Sequence, residues 1–209
     1  AWMPPPELTV SQWADAHRKL SPEASAEPGR WRTDRAPYQR GMMDAVNEPG
    51  EREVVFMTSA QIGTTEILNN ILGYFVHQDP SPILFIQPTL EMSEAWSKDR
   101  LAPMIRDTEA LGNLFKDSKT RNSDNTLLHK KFTGGHLTMA GANSPSSLAS
   151  RPIRIVLLDE EDRYPSSAGA EGDPGSLAQK RTTTFWNRLL VSASTPTIEG
   201  ESKIDARYQ

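Results

Sequence analysis

The run Glu53-Val-Val-Phe-Met57 has the composition of a strand, breaks at Thr58-Ser-Ala-Gln-Ile-Gly63, and is followed by an apolar pattern of helical period from Ile67 to Val76. No other stretch narrows the possible folds as much. A strand, a tight loop and a helix start follow in the order a phosphate-binding loop needs: the strand delivers the loop, and unpaired N–H groups of the first helical turn face an anion. The usual pattern is G-x-x-x-x-G-K-[ST]. Here Thr58 stands at the first glycine position, Gly63 and Thr65 match, and Thr64 stands in the lysine's place. A Gly-Thr-Thr tripeptide alone is most often plain loop, so the weight of this reading depends on the rest of the chain.

The remaining pattern is that of an α/β protein. Residues 83–87 and 153–158 are continuous apolar runs of the kind found in strands covered on both faces, and 189–193 is a further strand. Helices are expected over 9–19, with Thr9 or Ser11 as cap, over 37–46, over 65–77, over 90–107 with a bend before Pro103, and over 176–185. Residues 127–132 and 136–140 read as a hairpin turning at Thr133-Gly-Gly135, and 144–150 as one or two helical turns. Residues 110–125 are expected to be irregular, and 164–175, rich in Gly, Pro and Ser, to form a long mobile loop. Alternation of strand and helix predicts a central, mainly parallel sheet flanked by helices. Residues 1–50 form an arm leading into the 51–209 core.

With 209 residues, the chain can enclose one sizeable core. A charged fraction of 24% and a mean hydropathy of -0.57 predict a soluble protein, and no run is long enough to span a membrane. Cysteine is absent, which excludes disulfides and thiolate-held metals. The net charge of -4 argues against a generally basic nucleic-acid coat. Charge is uneven, however: between 98 and 131, eight Lys/Arg (98, 100, 106, 116, 119, 121, 130, 131) face five Asp/Glu (99, 107, 109, 117, 124). That excess marks either a solvated face or a surface for polyanions.

The second informative site is Ile155-Val-Leu-Leu-Asp159-Glu160. In phosphate-loop enzymes an apolar strand beside the loop strand ends in an aspartate that holds Mg2+, and the glutamate after it orients the attacking water. The buried strand is what aims the two carboxylates. Found after a strand–loop–helix unit with a further strand between, the pair predicts an ATPase. Glu161 reads as solvated loop, whereas Asp162 and Arg163 are either solvated or braces for the catalytic carboxylate.

Taken together, the separated motifs make the chain resemble the terminase large subunits of tailed bacteriophages, in the lambda-like branch. They are Gly29-Arg-Trp-Arg32, Pro37-Tyr-Gln-Arg40, Thr58-Ser-Ala-Gln-Ile-Gly63, Gln87-Pro-Thr89, Asp124-Asn-Thr-Leu127, Leu158-Asp-Glu160 and Ser194-Thr-Pro196, collinear over nearly the whole chain. The resemblance implies a P-loop NTPase fold of the RecA-like (ASCE) kind. It also implies a motor that hydrolyses ATP with Mg2+ to drive double-stranded DNA into a procapsid. Implied partners are a portal protein, a small terminase subunit and further copies of the chain in a ring, all in the host cell cytoplasm. A separate nuclease domain lies farther along in the family; none is expected within these residues, which should not cut DNA.

Carried over by position, Tyr38 and Gln39 would contact adenine. Thr58, Ser59, Ala60, Gln61, Ile62, Gly63, Thr64, Thr65 and Glu66 would surround the phosphates. The Thr65 hydroxyl and Asp159 would hold Mg2+, Glu160 would be the catalytic carboxylate, and Ser194 and Thr195 would belong to the motif that senses the γ-phosphate. The departure is at Thr64: family members carry a lysine there or a basic residue near the loop's start, and no Lys or Arg occurs anywhere in 53–97. The expectation is weakened nucleotide binding and severely reduced hydrolysis, with Thr64 either an engineered inactivation or offset by a cation recruited from Arg52, Lys98, Arg100, Arg151 or a neighbouring subunit. Rival readings are another P-loop translocase or helicase, and a catalytically dead docking module.

Overall fold

The computed structural model describes residues 7–115, 125–144 and 151–209. In chain order its elements are α1 (Val10–His17), β1 (Lys19–Leu20), β2 (Gly29–Arg30), α2 (Tyr38–Asp44), β3 (Glu53–Met57), α3 (Thr64–His77), β4 (Pro82–Gln87), α4 (Leu90–Trp96), α5 (Ala102–Asp107), α6 (Glu109–Gly112), β5 (His129–Phe132), β6 (Gly135–Gly141), β7 (Ile155–Asp159), α7 (Pro174–Lys180), β8 (Leu189–Ser194) and α8 (Lys203–Tyr208).

Six strands form one sheet in the order β3-β8-β7-β4-β6-β5. Every pairing is parallel except that of the edge hairpin, β5 with β6. Successive side chains of a strand point to opposite faces, and here both faces are dry. Ile83, Phe85, Ile155, Leu157, Leu189 and Val191 pack on one side with α1 and α3. Leu84, Ile86, Val156, Leu158 and Leu190 pack on the other with Tyr164, Ala168 and Ala178. This two-sided burial is why the strands read as unbroken apolar runs.

One expectation of the sequence is corrected. The strand ending in Asp159 does not lie beside the loop strand β3, because β8 pairs with both and stands between them. The Ser194 end of β8 thereby falls between loop and acid.

The N-terminal arm packs on the helical face. Thr9 caps α1 in a capping box with Gln12. Ser11 does not cap, and gives its N–H and hydroxyl to Asp44 at 2.9 and 2.8 Å. Trp13 is fully buried and donates its indole N–H to His77 Nδ1 at 3.0 Å. The ring lies directly on Gly73 of α3, where an added Cβ would come within 2.1 Å of it. Gly73→Ala is therefore expected to cost about 2–3 kcal/mol through overpacking, despite the better helix propensity of alanine. Thermal denaturation of the purified variant measures this.

The expected 90–107 helix follows one path, α4 into α5, through a π-helical turn at Ser97–Leu101. Pro103 lacks an N–H and its ring crowds the carbonyl four residues earlier, and the wider turn relieves that conflict. Residues 164–175 also differ from expectation. Irregular structure runs only to Asp173, which caps α7, and the segment is anchored by buried Tyr164 and Ala168, with the Tyr164 hydroxyl on Ile86 O at 2.8 Å. Of the helical turns expected at 144–150, residues 145–150 lie outside the described residues, as do 116–124 of the irregular 110–125 stretch, although α6 occupies 109–112.

Candidate functional site

All five parallel strands end at the same edge of the sheet, and there a cleft of about 800 Å³ opens. Its walls include Thr58 to Gln61 and Gly63 to Glu66 from the loop and α3, Gln87 from β4, Asp159 and Glu160 from β7, and Ser194 and Thr195 from β8.

The loop is held at both ends and from behind. At its start, Thr58 N–H donates to Ser194 O at 3.1 Å. At its end, Gly63 adopts φ 86° and its carbonyl accepts from Glu66 and Ile67, which starts α3. An added Cβ at Gly63 would lie 2.7 Å from Gln39 Nε2, so both the backbone conformation and the close approach call for glycine. Between these ends the loop is strained: Gln61 has φ 63° without being glycine. Behind it, the Gln39 amide and Tyr38 hydroxyl both donate to Ile62 O, at 2.8 and 3.0 Å. Tyr38, Gln39 and Ile62 thus brace the loop and do not line the cleft itself, although Tyr38 remains 57% exposed beside it. Where the lysine would stand, the hydroxyls of Thr58 and Thr64 bond each other at 3.1 Å. The two positions open to a loop cation are therefore neutral and mutually satisfied.

Opposite the loop, Asp159 is buried, and its Oδ2 accepts from Gln87 Nε2 at 2.9 Å and Thr65 Oγ1 at 3.2 Å. Burial pushes its pKa up to about 6, with the Glu160 carboxylate adding to the rise and the hydrogen bonds from Gln87 and Thr65 opposing it. A desolvated carboxylate beside a threonine hydroxyl, both oxygen donors at the mouth of a phosphate-type loop, suits a hard divalent cation such as Mg2+. The Gln87 amide was a motif residue without an assigned role in the sequence. It ends β4 as Asp159 ends β7, and that shared position is the signal that could have found it.

Glu160 adopts φ 55°, again left-handed without glycine, and its carboxylate pairs with Arg163 at 3.0 Å. Of the two residues weighed as braces, Arg163 therefore holds the glutamate. Asp162 instead receives the N–H and hydroxyl of Thr197 and the N–H of Ile204, at 2.7–2.9 Å, and donates its own N–H to Ser194 Oγ at 3.1 Å. This ties the end of β8 to α8.

Glu161 is a correction. It is buried, bonded to Ser192 Oγ and paired with Arg207 at 2.9 Å. The 3-10 turn after β7 swings it inward beneath β8, and its cation comes from α8, a helix the sequence reading did not anticipate. Glu66 faces Arg18 at 2.8 Å, so its carboxylate is largely engaged by the arm.

The candidate substitute cations separate clearly. Arg100 lines the cleft, Lys98 does not, Arg52 lies at the start of β3 near the far end of the sheet, and Arg151 contacts His129. Arg163, which sequence reasoning did not count among them, lines the cleft as well.

Known proteins resemble this chain over most of its length. Among curated proteins, the chain is 32% identical over 203 residues to the terminase large subunit of Enterobacteria phage P21 and 30% identical to that of Escherichia phage lambda. Each alignment covers 96% of this chain but 31% of the relative, so the chain spans about a third of the curated relatives it matches. Among solved structures, the large terminase ATPase domain of Thermus phage P74-26 matches with a TM-score of 0.51 at 16% identity, covering 74% of this chain and 64% of that one, a likeness of fold. No described helix is long and apolar enough to cross a membrane. Residues 25–209 match the family model for the phage terminase large subunit gpA, ATPase domain, and the chain belongs to that family.

Proposed function

We propose that this chain binds ATP with Mg2+ in the cleft and hydrolyses it as the motor part of a viral packaging enzyme, driving double-stranded DNA into a procapsid. The observation that carries the reading is the convergence on one cleft of the loop 58–65, the Asp159-Glu160 pair and the Ser194-Thr195 strand end. In this reading the loop backbone and the first turn of α3 receive the phosphates, while Tyr38 and Gln39 set the loop and offer an aromatic and an amide on the adenine side. Thr65 and Asp159 would hold Mg2+, which would supply positive charge to offset that of the phosphates.

Glu160 is the group that acts on water. With one oxygen held by Arg163, its other carboxylate oxygen accepts a hydrogen bond from the attacking water and orients it in line with the γ-phosphorus, with no covalent intermediate. Ser194 and Thr195 register whether the γ-phosphate is present. Through Ser194 and Asp162 that state reaches Thr197 and α8, a path of direct hydrogen bonds. The proposed partners are a portal, a small terminase subunit, and further copies of this chain in a ring in the host cytoplasm. DNA contact would be mainly to phosphates and so salt-dependent. The basic excess of 98–131 is its candidate surface, although Lys116, Lys119 and Arg121 lie outside the described residues.

Calorimetric titration of ATP with and without Mg2+ tests the reading; no heat under either condition would defeat it and leave a docking module. Glu160→Gln keeps size and hydrogen bonding but removes the base. It is expected to lower phosphate release by about 10²–10³-fold while leaving nucleotide affinity within a few-fold.

A further inference from the structure

A triphosphate brings several negative charges into this cleft, and the loop supplies no side-chain cation to meet them. Among the described residues, the basic side chains lining the cleft are Arg100 and Arg163. Arg163 is already committed to the Glu160 carboxylate at 3.0 Å. Arg100 is far less engaged. Among the described residues its one hydrogen bond is to the Ala24 carbonyl, and the nearest carboxylate, Glu66, lies 4.0 Å away and is held more closely by Arg18 at 2.8 Å. Glu66 directly follows Thr65 in the first turn of α3, so the Arg100 guanidinium sits at the rim of the phosphate loop.

The backbone beneath Arg100 is fixed. It belongs to the π-helical turn Ser97–Leu101, whose flanks are pinned by the Trp96 ring stacked on Phe85 at 4.1 Å and by buried Leu101. Ser97 adds a bond to Leu127 O at 2.6 Å. Such turns recur at functional sites because the extra residue re-aims the side chains around it. The side chain itself is 46% exposed. A rigid base, a half-solvated guanidinium and weak present partners describe an arginine positioned to exchange a carbonyl for a stronger anion.

Resting on the ATP reading of the cleft, we propose that Arg100 is a catalytic residue that binds the terminal phosphate of the nucleotide, supplying in cis the positive charge that Thr64 cannot. Its contact is with the γ-phosphate, so it distinguishes ATP from ADP. This makes the π-helical turn part of the site and assigns a role to the α4–α5 segment that the loop motif does not contain.

The test compares a non-hydrolysable ATP analogue with ADP, each titrated calorimetrically with Mg2+ into the unaltered chain, Arg100→Gln, Arg100→Lys and the surface control Arg106→Gln. Arg100→Gln is expected to weaken the ATP analogue about tenfold or more and ADP by less than about threefold, with Arg100→Lys between the two and Arg106→Gln without effect. Equal affinities for the ATP analogue in the unaltered chain and Arg100→Gln would overturn the assignment while leaving the ATP reading intact. Equal losses for both nucleotides would also overturn it, since they would mark a merely structural role. If the unaltered chain bound neither nucleotide, the proposed function itself would fall and this assignment with it.

Discussion

Thr64→Lys is expected to raise the rate of ATP hydrolysis by about 10- to 100-fold. A cation at the last turn of the loop meets charge on the β- and γ-phosphates as it develops in the transition state, and groups of that kind contribute several kcal/mol. The gain is set below the full value because Arg100 already supplies part of the charge. It should accordingly be larger in an Arg100→Gln background, and a comparison of phosphate release in the four variants of that cycle measures the overlap. Stability should move the other way. Thr64 opens α3 and its hydroxyl bonds Thr58 at 3.1 Å, so lysine removes that bond and places a positive charge at the positive end of a helix. The cost is about 1 kcal/mol in the nucleotide-free chain. A faster enzyme that melts slightly lower is the expected result; equal turnover in both versions would show that the loop cation is not what limits this chain.

How far the sequence carried is best seen at particular residues. The parallel sheet was legible because 83–86 and 155–158 are apolar at every position, the pattern that burial on both faces produces in a strand. The loop was legible from Gly63 because its φ of 86° and the Gln39 side chain beside it leave room for nothing larger. What was not legible depended on partners distant in sequence. Glu161 read as solvent-exposed, and burial beside Ser192 became possible only through Arg207, 46 residues on, in a short helix with little pattern of its own. Strand order was likewise hidden: periodicity places side chains on faces but does not say that β8 inserts between β3 and β7.

The site divides in the same way. Residue types at strand ends, namely Asp159, Glu160 and Ser194, could be picked out because chemistry demands them there. Arg100 could be named only as one of several cations. Its distinction comes from a π-helical turn that Pro103 helps to impose and from Arg163 being occupied by Glu160, neither of which periodicity encodes. The roles of Tyr38 and Gln39 were also incomplete, since both first act on the loop through the Ile62 carbonyl.

Asp159→Asn is expected to abolish at least 99% of hydrolysis, about 10²-fold or more, and at the same time to make the nucleotide-free protein more stable. Both effects have one cause. The aspartate is sequestered with an amide and a hydroxyl for company, and burial lifts its pKa to about 6. In the unfolded chain the same carboxyl titrates near 3.9. The folded state therefore binds the proton more tightly, so this group's stabilising effect is fully present below about pH 4 and is lost as pH rises through about 6. At neutral pH the buried charge costs on the order of 2–3 kcal/mol, which asparagine removes while its carbonyl still accepts from Gln87 and Thr65. A rise in melting temperature of roughly 5 °C at pH 7.5, shrinking toward zero near pH 4, is the expected signature. A divalent ion should reverse the ranking, because only the carboxylate gains from it: added Mg2+ and nucleotide raise the melting temperature of the unaltered chain and leave Asp159→Asn nearly unmoved. A variant that is destabilised at every pH would mean that Asp159 holds β7 to β4 and α3 as a structural charge, and the candidate metal position would then have to be sought elsewhere in the cleft.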